Sequence, residues 1–94
     1  AHDAQVALAK GRLQAARGDA AADASLRTTI AIADERHLSW VGLQTAWALA
    51  GLTDEDSATT AAKERAGAIA TGIIDDALRH SFLGRWSDPA RARA

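Results

Sequence analysis

The fold is decided by the stretch Trp40-Val41-Gly42-Leu43-Gln44-Thr45-Ala46-Trp47, in which large apolar residues recur three and four positions apart. Residues with this spacing share one face of a helix, so the stretch predicts an amphipathic helix that continues to Ala50. The same spacing occurs about 34 residues earlier, at Val6, Ala9, Leu13 and Ala16. The chain therefore contains an internal repeat that begins with a helix.

The segments that follow these two helices repeat as well, once two extra residues are allowed in the turn at 51–54. Each segment carries a second helical stripe, formed by Ala22, Leu26, Ile30 and Ala33 in the first copy and by Ala58, Ala62, Ala66 and Ile69 in the second. A repeat of two antiparallel helices follows. We predict an all-α fold in a single domain, residues 1–86, with repeat 1 at about 4–37, repeat 2 at about 38–73 and a short capping helix at about 75–84.

Glycine and capping residues set the predicted ends of the helices. Gly18 and Asp19 make the first break, and Asp19 is placed to cap the second helix. Gly51 is expected to end the third helix in the left-handed conformation, and the fourth helix is expected at about 54–71. Residues 87–94 carry no apolar anchor, so they are predicted to form a frayed tail.

Alanine supplies more than half of the apolar residues, which make up 48% of the chain. Alanine favours helices and fills a core poorly, so the helices are expected to pack closely, with Gly67 and Gly72 as points of close approach. The repeat predicts a core made of Leu13, Leu26, Ile30, Trp40, Leu43, Trp47, Ile69, Leu78 and Phe82. Trp86 is predicted to fold back onto Leu78 and Phe82.

The charge balance and the lack of cysteine exclude several classes of function. With no cysteine there is no disulfide framework and no thiolate metal site, which favours a reducing compartment and a cytoplasmic location. A formal net charge of −1 is unsuited to nucleic acid, which needs clustered lysine and arginine. No apolar run approaches the roughly 20 residues of a membrane-spanning helix, so no membrane partner is predicted.

Catalytic and metal-binding patterns are weak in this sequence. His2, His37 and His80 do not share the helical spacing of a zinc site, and they are predicted to be surface residues. The acidic stretches Asp54-Glu55-Asp56 and Asp75-Asp76 lie at predicted helix starts, where negative charge is favourable against the helix dipole. We therefore predict no enzymatic activity, no catalytic residue, no metal and no cofactor.

The repeat length and its key positions point to one family. Trp40, Leu43 and Trp47 stand where the tetratricopeptide repeat (TPR) motif has its tryptophan, leucine and aromatic residue. Ala22 and Ala58 stand at the small position where the second helix crosses the first. The chain resembles the degenerate TPR-like arrays at the C-terminal ends of large bacterial signalling and regulatory proteins. The resemblance covers residues 4–84.

The resemblance implies a concave groove lined by the first helix of each repeat. Carried over position by position, the groove residues are Ala4, Ala7, Gly11, Gln14, Leu38, Val41, Thr45 and Ala48. Because they are small or apolar, a bound segment is expected to be apolar or helical and to be recognised by its shape. We predict a non-catalytic interaction or structural module, the C-terminal part of a larger regulator. Its partner is a protein, a peptide or the upstream domains of the same polypeptide.

Two other functions stay open. One is the sensing of a small ligand in the space between helices near Trp40 and Trp47, and the other is a solubilising end cap without a ligand. Two repeats also bury little apolar surface, because such arrays usually need about three repeats for stability. The isolated chain can therefore form a homodimer through its first helix, on which Val6 and Leu8 point in opposite directions.

Overall fold

Five helices follow one another along the chain, and a one-turn helix comes after them. A computed structural model describes residues 2–92, and these residues form no strand. The helices are α1 (His2–Ala16), α2 (Ala22–Glu35), α3 (Ser39–Thr53), α4 (Asp56–Thr71), α5 (Asp76–Trp86) and α6 (Pro89–Ala92). Each helix packs on the next one, and α1 also packs on α3. The predicted all-α fold of helical hairpins with a short C-terminal helix is confirmed.

The first hairpin turns at Gly18, whose φ of 68° lies in the left-handed region that glycine adopts without strain. Asp19 then organises the start of α2, because its Oδ1 accepts a hydrogen bond from the amide of Ala21 at 2.8 Å. Its carbonyl accepts a second hydrogen bond, from the amide of Ala22 at 3.0 Å. The prediction that Asp19 is the cap residue is wrong by position: Ala21 occupies that place and makes no side-chain cap.

The second hairpin turns later than predicted. Helix α3 continues through Gly51 to Thr53, and Asp54 takes the left-handed conformation with φ of 55°. Aspartate tolerates this conformation better than most residues with a side chain, so a glycine is not required there. Glu55 is extended, and α4 therefore begins at Asp56, two residues after the predicted start.

Helix α1 buries a different face from the one that the repeat predicts. Ala4, Leu8 and Gly11 are buried, whereas Val6 is 66% exposed and Leu13 is 50% exposed. Both sets have spacings of three and four, so periodicity alone does not choose between them. The buried set contains the smaller residues, which let the backbone of α1 come close to α2.

The close contact between α1 and α2 is made at Gly11. A Cβ atom at this position would lie 2.6 Å from Cδ2 of Leu26, whose side chain is fully buried. The predicted close approaches at Gly67 and Gly72 are wrong, because Gly67 has no atom within 4 Å of its Cβ position. For Gly72, the atom nearest to the Cβ position is the carbonyl oxygen of Ile69 at 3.5 Å, which belongs to the same helical turn as Gly72.

Helix α3 is buried on both of its long sides and belongs to two apolar clusters. The first cluster lies between α1, α2 and α3 and consists of Ala4, Leu8, Leu26, Ala33, Val41 and Leu49. The second cluster lies between α3 and α4 and consists of Leu43, Ala46, Trp47, Ala50, Ala62 and Ala66. On the α4 side, the buried members of the second cluster are both alanines, so α3 and α4 pack closely.

The predicted core residues divide into three groups. Leu26, Leu43 and Trp47 are buried. Ile30, Ile69 and Phe82 are partly buried against the two clusters. The core assignment is wrong for the remaining three, because Leu13, Trp40 and Leu78 are 50%, 44% and 64% exposed. Leu13 is on the outer face of α1, and Leu78 is on a helix that has no buried residue.

The segment after α5 is more ordered than predicted. In place of a frayed tail, residues 89–92 form the single turn of α6, which packs on α5. The amide of Ala92 donates a hydrogen bond to the carbonyl of Asp88 at 2.9 Å, and Ala92 packs against the second cluster. Residues 93 and 94 of the predicted tail lie outside the described residues.

Two glycine-to-alanine variants test the close contact of α1 with α2. Gly11→Ala is expected to lower the free energy of unfolding by about 1–2 kcal/mol, because the strain of overpacking against Leu26 exceeds the gain in helix propensity. Gly67→Ala is the matched control and should raise it by about 0.5–1 kcal/mol, since its added methyl group meets no atom. Urea unfolding followed by circular dichroism measures both. Equal effects of the two variants would contradict the contact.

Candidate functional site

The eight predicted groove residues do not form an open groove. Four of them are buried in helix packing: Ala4, Gly11, Val41 and Thr45. The other four are half-buried: Ala7, Gln14, Leu38 and Ala48. The hydroxyl of Thr45 donates to the carbonyl of Val41 at 2.7 Å, so its only side-chain polar group is already used. Helices α1 and α3 therefore turn the four buried positions toward the neighbouring helices.

A cleft of about 550 Å³ lies between α1, α3 and the C-terminal residues. Arg12 and Ala15 line it from α1, and Trp86 and Ala92 line it from the C-terminal side. Five residues of α3 form the wall between them: Gln44, Trp47, Ala48, Gly51 and Leu52. Ala48 is the one predicted groove residue that lines this cleft. The cleft lies where the resemblance expects a groove, but it is lined by neighbouring positions on the same helices.

Trp86 closes one side of the cleft and attaches the C-terminal helices to α3. The indole Nε1 of buried Trp47 donates to the carbonyl oxygen of Trp86 at 2.7 Å. The ring of Trp86 packs edge-on against Trp40, with centroids 4.7 Å apart and planes at 84°. The guanidinium carbon of Arg85 lies 4.9 Å from the centre of the Trp86 ring.

Trp86 is the last residue of α5 and does not fold back from beyond that helix, and both Trp86 and Phe82 pack against the second cluster. A buried indole N–H needs an acceptor, and the carbonyl at the end of α5 supplies one for Trp47. The same contact explains why Trp40 is outside the core, since its ring is paired with Trp86 at the surface. Sequence spacing cannot reveal these contacts, because the donor Trp47 and the acceptor Trp86 of the hydrogen bond are 39 positions apart in the chain.

Two polar side chains give the cleft its hydrogen-bonding capacity. Oε1 of Gln44 is buried and accepts no hydrogen bond within the described part of the chain. Arg12 is exposed at the edge of the cleft and has no ion-pair partner among residues 2–92. A buried acceptor without a donor costs about 1–3 kcal/mol, and a ligand regains that energy only if the side chain turns this oxygen into the cleft, because the oxygen has almost no accessible surface in the present conformation. The other residues that line the cleft are alanine, glycine, leucine and tryptophan.

A second, smaller cavity of about 240 Å³ brings a histidine, a serine and an aspartate together. His37, Ser39, Asp34 and Arg65 all line it. In the described residues, no hydrogen bond joins His37 to Ser39, so this group lacks the base-to-nucleophile contact of a hydrolytic site. Arg65 donates two hydrogen bonds of 2.9 Å each to the carboxylate of Asp34.

The Asp34–Arg65 pair connects α2 and α4 across α3. A Cβ atom at Gly42 of α3 would lie 2.9 Å from Nη1 of Arg65, so the guanidinium passes directly over the glycine. The hydrogen bonds from Arg65 lower the pKa of the Asp34 carboxyl below its ordinary value, and the smaller effect of burial opposes them. The pair is part of the scaffold that holds α2 and α4 on either side of α3.

The other candidate residues lie apart from one another. Asp75 caps α5, since its Oδ1 accepts from the amide of Leu78 at 2.9 Å. His37 and His80 are exposed, and the side chain of His2 lies outside the described residues. Within residues 2–92, no three histidine, aspartate or glutamate side chains cluster closely enough to hold a metal ion. The acidic stretch 54–56 lies at the turn before α4.

Comparisons with family models, with curated proteins and with solved structures find no match for this chain. Over residues 2–92, no helix combines the length and the apolar character that crossing a bilayer requires. The cleft between α1 and α3 is larger than the cavity beside His37, and it is lined by Gln44 and Arg12, which have no partner for Oε1 and for the guanidinium, respectively, within the part of the chain that the structure describes. It is therefore the candidate binding site.

The Asp34–Arg65 pair predicts a specific pH dependence of stability. Because the folded-state pKa of Asp34 is lowered, its contribution is complete above the unfolded value of about 3.9 and is lost as pH falls through the folded value. Asp34→Asn should lower the free energy of unfolding at pH 7 by no more than about 1 kcal/mol, since the carboxylate is partly exposed to solvent. The difference from the unsubstituted protein should shrink toward pH 3.

Urea unfolding at several pH values measures this difference. Glu64→Gln is the matched control, because Glu64 lies on the same helix as Arg65 and makes no ion pair with another described residue. A pH-independent difference for Asp34→Asn would show that the pair does not link folding to protonation.

Proposed function

We propose that this chain is a non-catalytic, TPR-like interaction module that binds an apolar protein segment in the cleft between α1 and α3. Two features of the fold support the TPR-like part. The helices alternate in antiparallel hairpins of nearly equal length, α1 with α2 and α3 with α4. The first helices of the two hairpins are also neighbours, since α1 packs on α3.

The cleft is the observation that carries the proposal. Its volume of about 550 Å³ exceeds that of each other cavity described above, and it is bounded by both first helices of the hairpins. Leu52 is 37% exposed at its edge, and the ring of Trp86 forms a second apolar surface. Apolar anchors of this kind supply most of the binding energy when a segment of another protein enters a groove.

The polar groups of the cleft favour a peptide segment as the occupant. Gln44 carries a side-chain amide, and an amide can pair with the N–H or C=O groups of a peptide backbone. Its buried Oε1 lacks a donor, which a backbone N–H would supply once the side chain turns this oxygen into the cleft. The narrow apolar wall formed by Ala48 and Gly51 leaves room for a side chain or a helix face to approach closely. Recognition by shape with one or two amide hydrogen bonds follows.

One observation favours a second candidate function, the sensing of a small ligand. Binding sites for small molecules have volumes of about 300–1,000 Å³, and the cleft falls in this range. Two indole side chains line it, Trp47 and Trp86, whereas the sequence predicts Trp40 and Trp47 for this role. A third candidate, an end cap without a ligand, needs no cleft.

A peptide selection tests the proposed function. A random peptide library displayed on phage is selected against the full chain, and the selected peptides are synthesised and titrated by calorimetry. Leu52→Glu places a charge at the edge of the cleft and should weaken binding of these peptides at least tenfold. Leu13→Glu is the matched control, since this exposed leucine lies outside the cleft, and it should leave binding unchanged.

The outcomes separate the three candidate functions. Peptides that bind Leu52→Glu as well as the unsubstituted chain would contradict the proposed site. A metabolite that binds the folded state raises the midpoint of thermal unfolding, because it stabilises that state. A metabolite from a library that raises the midpoint of the unsubstituted chain but not that of Leu52→Glu would favour small-ligand sensing over peptide binding. Selection without enriched peptides, together with no thermal shift, would favour the end cap.

A further inference from the structure

The outer face of α1 carries an exposed apolar stripe. It consists of Val6, Ala9, Leu13 and Ala16, all of which are exposed, Val6 to 66% and Leu13 to 50%. Their spacing of three and four places them on one face of the helix. Helix α1 packs on α2 and α3 through a different face, so this one is left without a neighbour among the described helices. We call these four residues the outer stripe.

The internal repeat shows what covers the equivalent stripe on α3. With the shift of about 34 residues, the outer stripe corresponds to Trp40, Leu43, Trp47 and Ala50. Leu43, Trp47 and Ala50 are buried in the second cluster against alanines of α4, and the ring of Trp40 packs on that of Trp86. The same face of the first helix is therefore covered by helices in the second hairpin and exposed in the first.

Three basic side chains surround the outer stripe, and none has an ion-pair partner within the part of the chain that the structure describes. On a helical wheel, Lys10 and Arg12 lie on opposite sides of the stripe, and Arg17 follows its C-terminal end. All three are exposed, and the ion pairs among described residues involve other groups. The one acidic residue of α1, Asp3, lies 3.6 Å from the guanidinium of Arg36. The outer surface of α1 is thus positively charged.

We propose that the outer stripe binds an amphipathic helix of another protein, which presents alanine and leucine to the stripe and acidic side chains to Lys10 and Arg17. The helical form follows from α4, which covers the equivalent positions of α3 with a face of alanines. The mixture of leucine and alanine follows from the stripe itself, in which large and small residues alternate and interdigitate best with their opposites. The acidic flanks follow from the unpaired cations, because complementary charge fixes register and speeds association.

This surface is separate from the cleft of the proposed function, because no residue of the outer stripe lines that cleft. Arg12 does line it, so the tests below are confined to Lys10 and Arg17. A membrane surface of anionic lipid offers negative charge as well. Its binding strength scales with the apolar area buried, and the stripe offers two large aliphatic side chains only. A helix with complementary side chains contacts the alanines as well, and it is the occupant that the stripe fits.

Two synthetic helical peptides of about 18 residues serve as probes, long enough for five turns. The acidic peptide has alternating alanine and leucine along one face and glutamate on both flanks, and the basic peptide has lysine in place of each glutamate. Fluorescence anisotropy of the labelled peptides measures their binding to the full chain. The acidic peptide should bind at least tenfold more tightly than the basic one. Added sodium chloride should weaken its binding, since exposed charges are screened.

Three variants locate the contact. Val6→Glu should weaken binding of the acidic peptide at least tenfold, because it removes an apolar contact and adds a like charge. Lys10→Gln combined with Arg17→Gln should reduce both the affinity and its salt dependence. Ile74→Glu is the matched control, since Ile74 is 96% exposed and lies before α5, and it should leave binding unchanged. Circular dichroism checks folding, and Leu13→Glu replaces Val6→Glu if that variant does not fold.

Four outcomes would overturn the proposal. The first is an acidic peptide that does not bind, or that binds no better than the basic one. The second is binding that Leu52→Glu abolishes and Val6→Glu does not, which would place the peptide in the cleft and support the proposed function instead. The third is co-sedimentation with phosphatidylglycerol vesicles that Val6→Glu abolishes, without peptide binding, which would assign the stripe to a membrane surface. The fourth is self-association that Val6→Glu abolishes, without peptide binding, which would assign it to a second copy.

Discussion

Helix α3 is packed on two opposite sides, and the rest of the structure depends on how closely its neighbours can approach it. On one side, α1 and α2 contribute to the first cluster, and on the other side the buried residues that α4 contributes to the second cluster are alanines. Small residues make this arrangement possible: Gly11 admits Leu26, and Gly42 lies directly beneath the guanidinium of Arg65. A chain with few large apolar residues thus obtains its core by placing backbones close together.

The sequence predicts the class of fold well and the faces of individual helices poorly. Helix spacing and turn residues identify the hairpins because periodicity is a local property of the chain. Helix α1 carries two stripes with the same spacing, and the choice between them depends on whether α2 can nest against Gly11. That choice is a tertiary property. The end of α3 also differs from the predicted end, because Asp54 takes the left-handed conformation and Gly51 lies within the helix.

The candidate site shows the same division between local and tertiary information. Sequence reasoning places a groove between the first helices of the hairpins, and a cleft does lie between α1 and α3. The lining residues differ because four of the predicted groove positions are buried in the packing between helices. Trp86 contributes to the cleft through a hydrogen bond that spans 39 residues, and no local pattern encodes it. The unpaired oxygen of Gln44 likewise becomes visible only when neighbouring helices have excluded solvent from it.

The position of the tryptophans has a consequence for how this protein is observed. The chain has three tryptophans and no tyrosine, and all three tryptophans lie where α3 meets the C-terminal residues. The first cluster contains no aromatic residue. Intrinsic fluorescence therefore reports mainly the region where α3 meets the C-terminal residues, and the first cluster, in which α1 packs on α2, holds no tryptophan. A fluorescence melt and a far-ultraviolet dichroism melt sample different parts of this fold, and their agreement measures how tightly α3 couples the two halves.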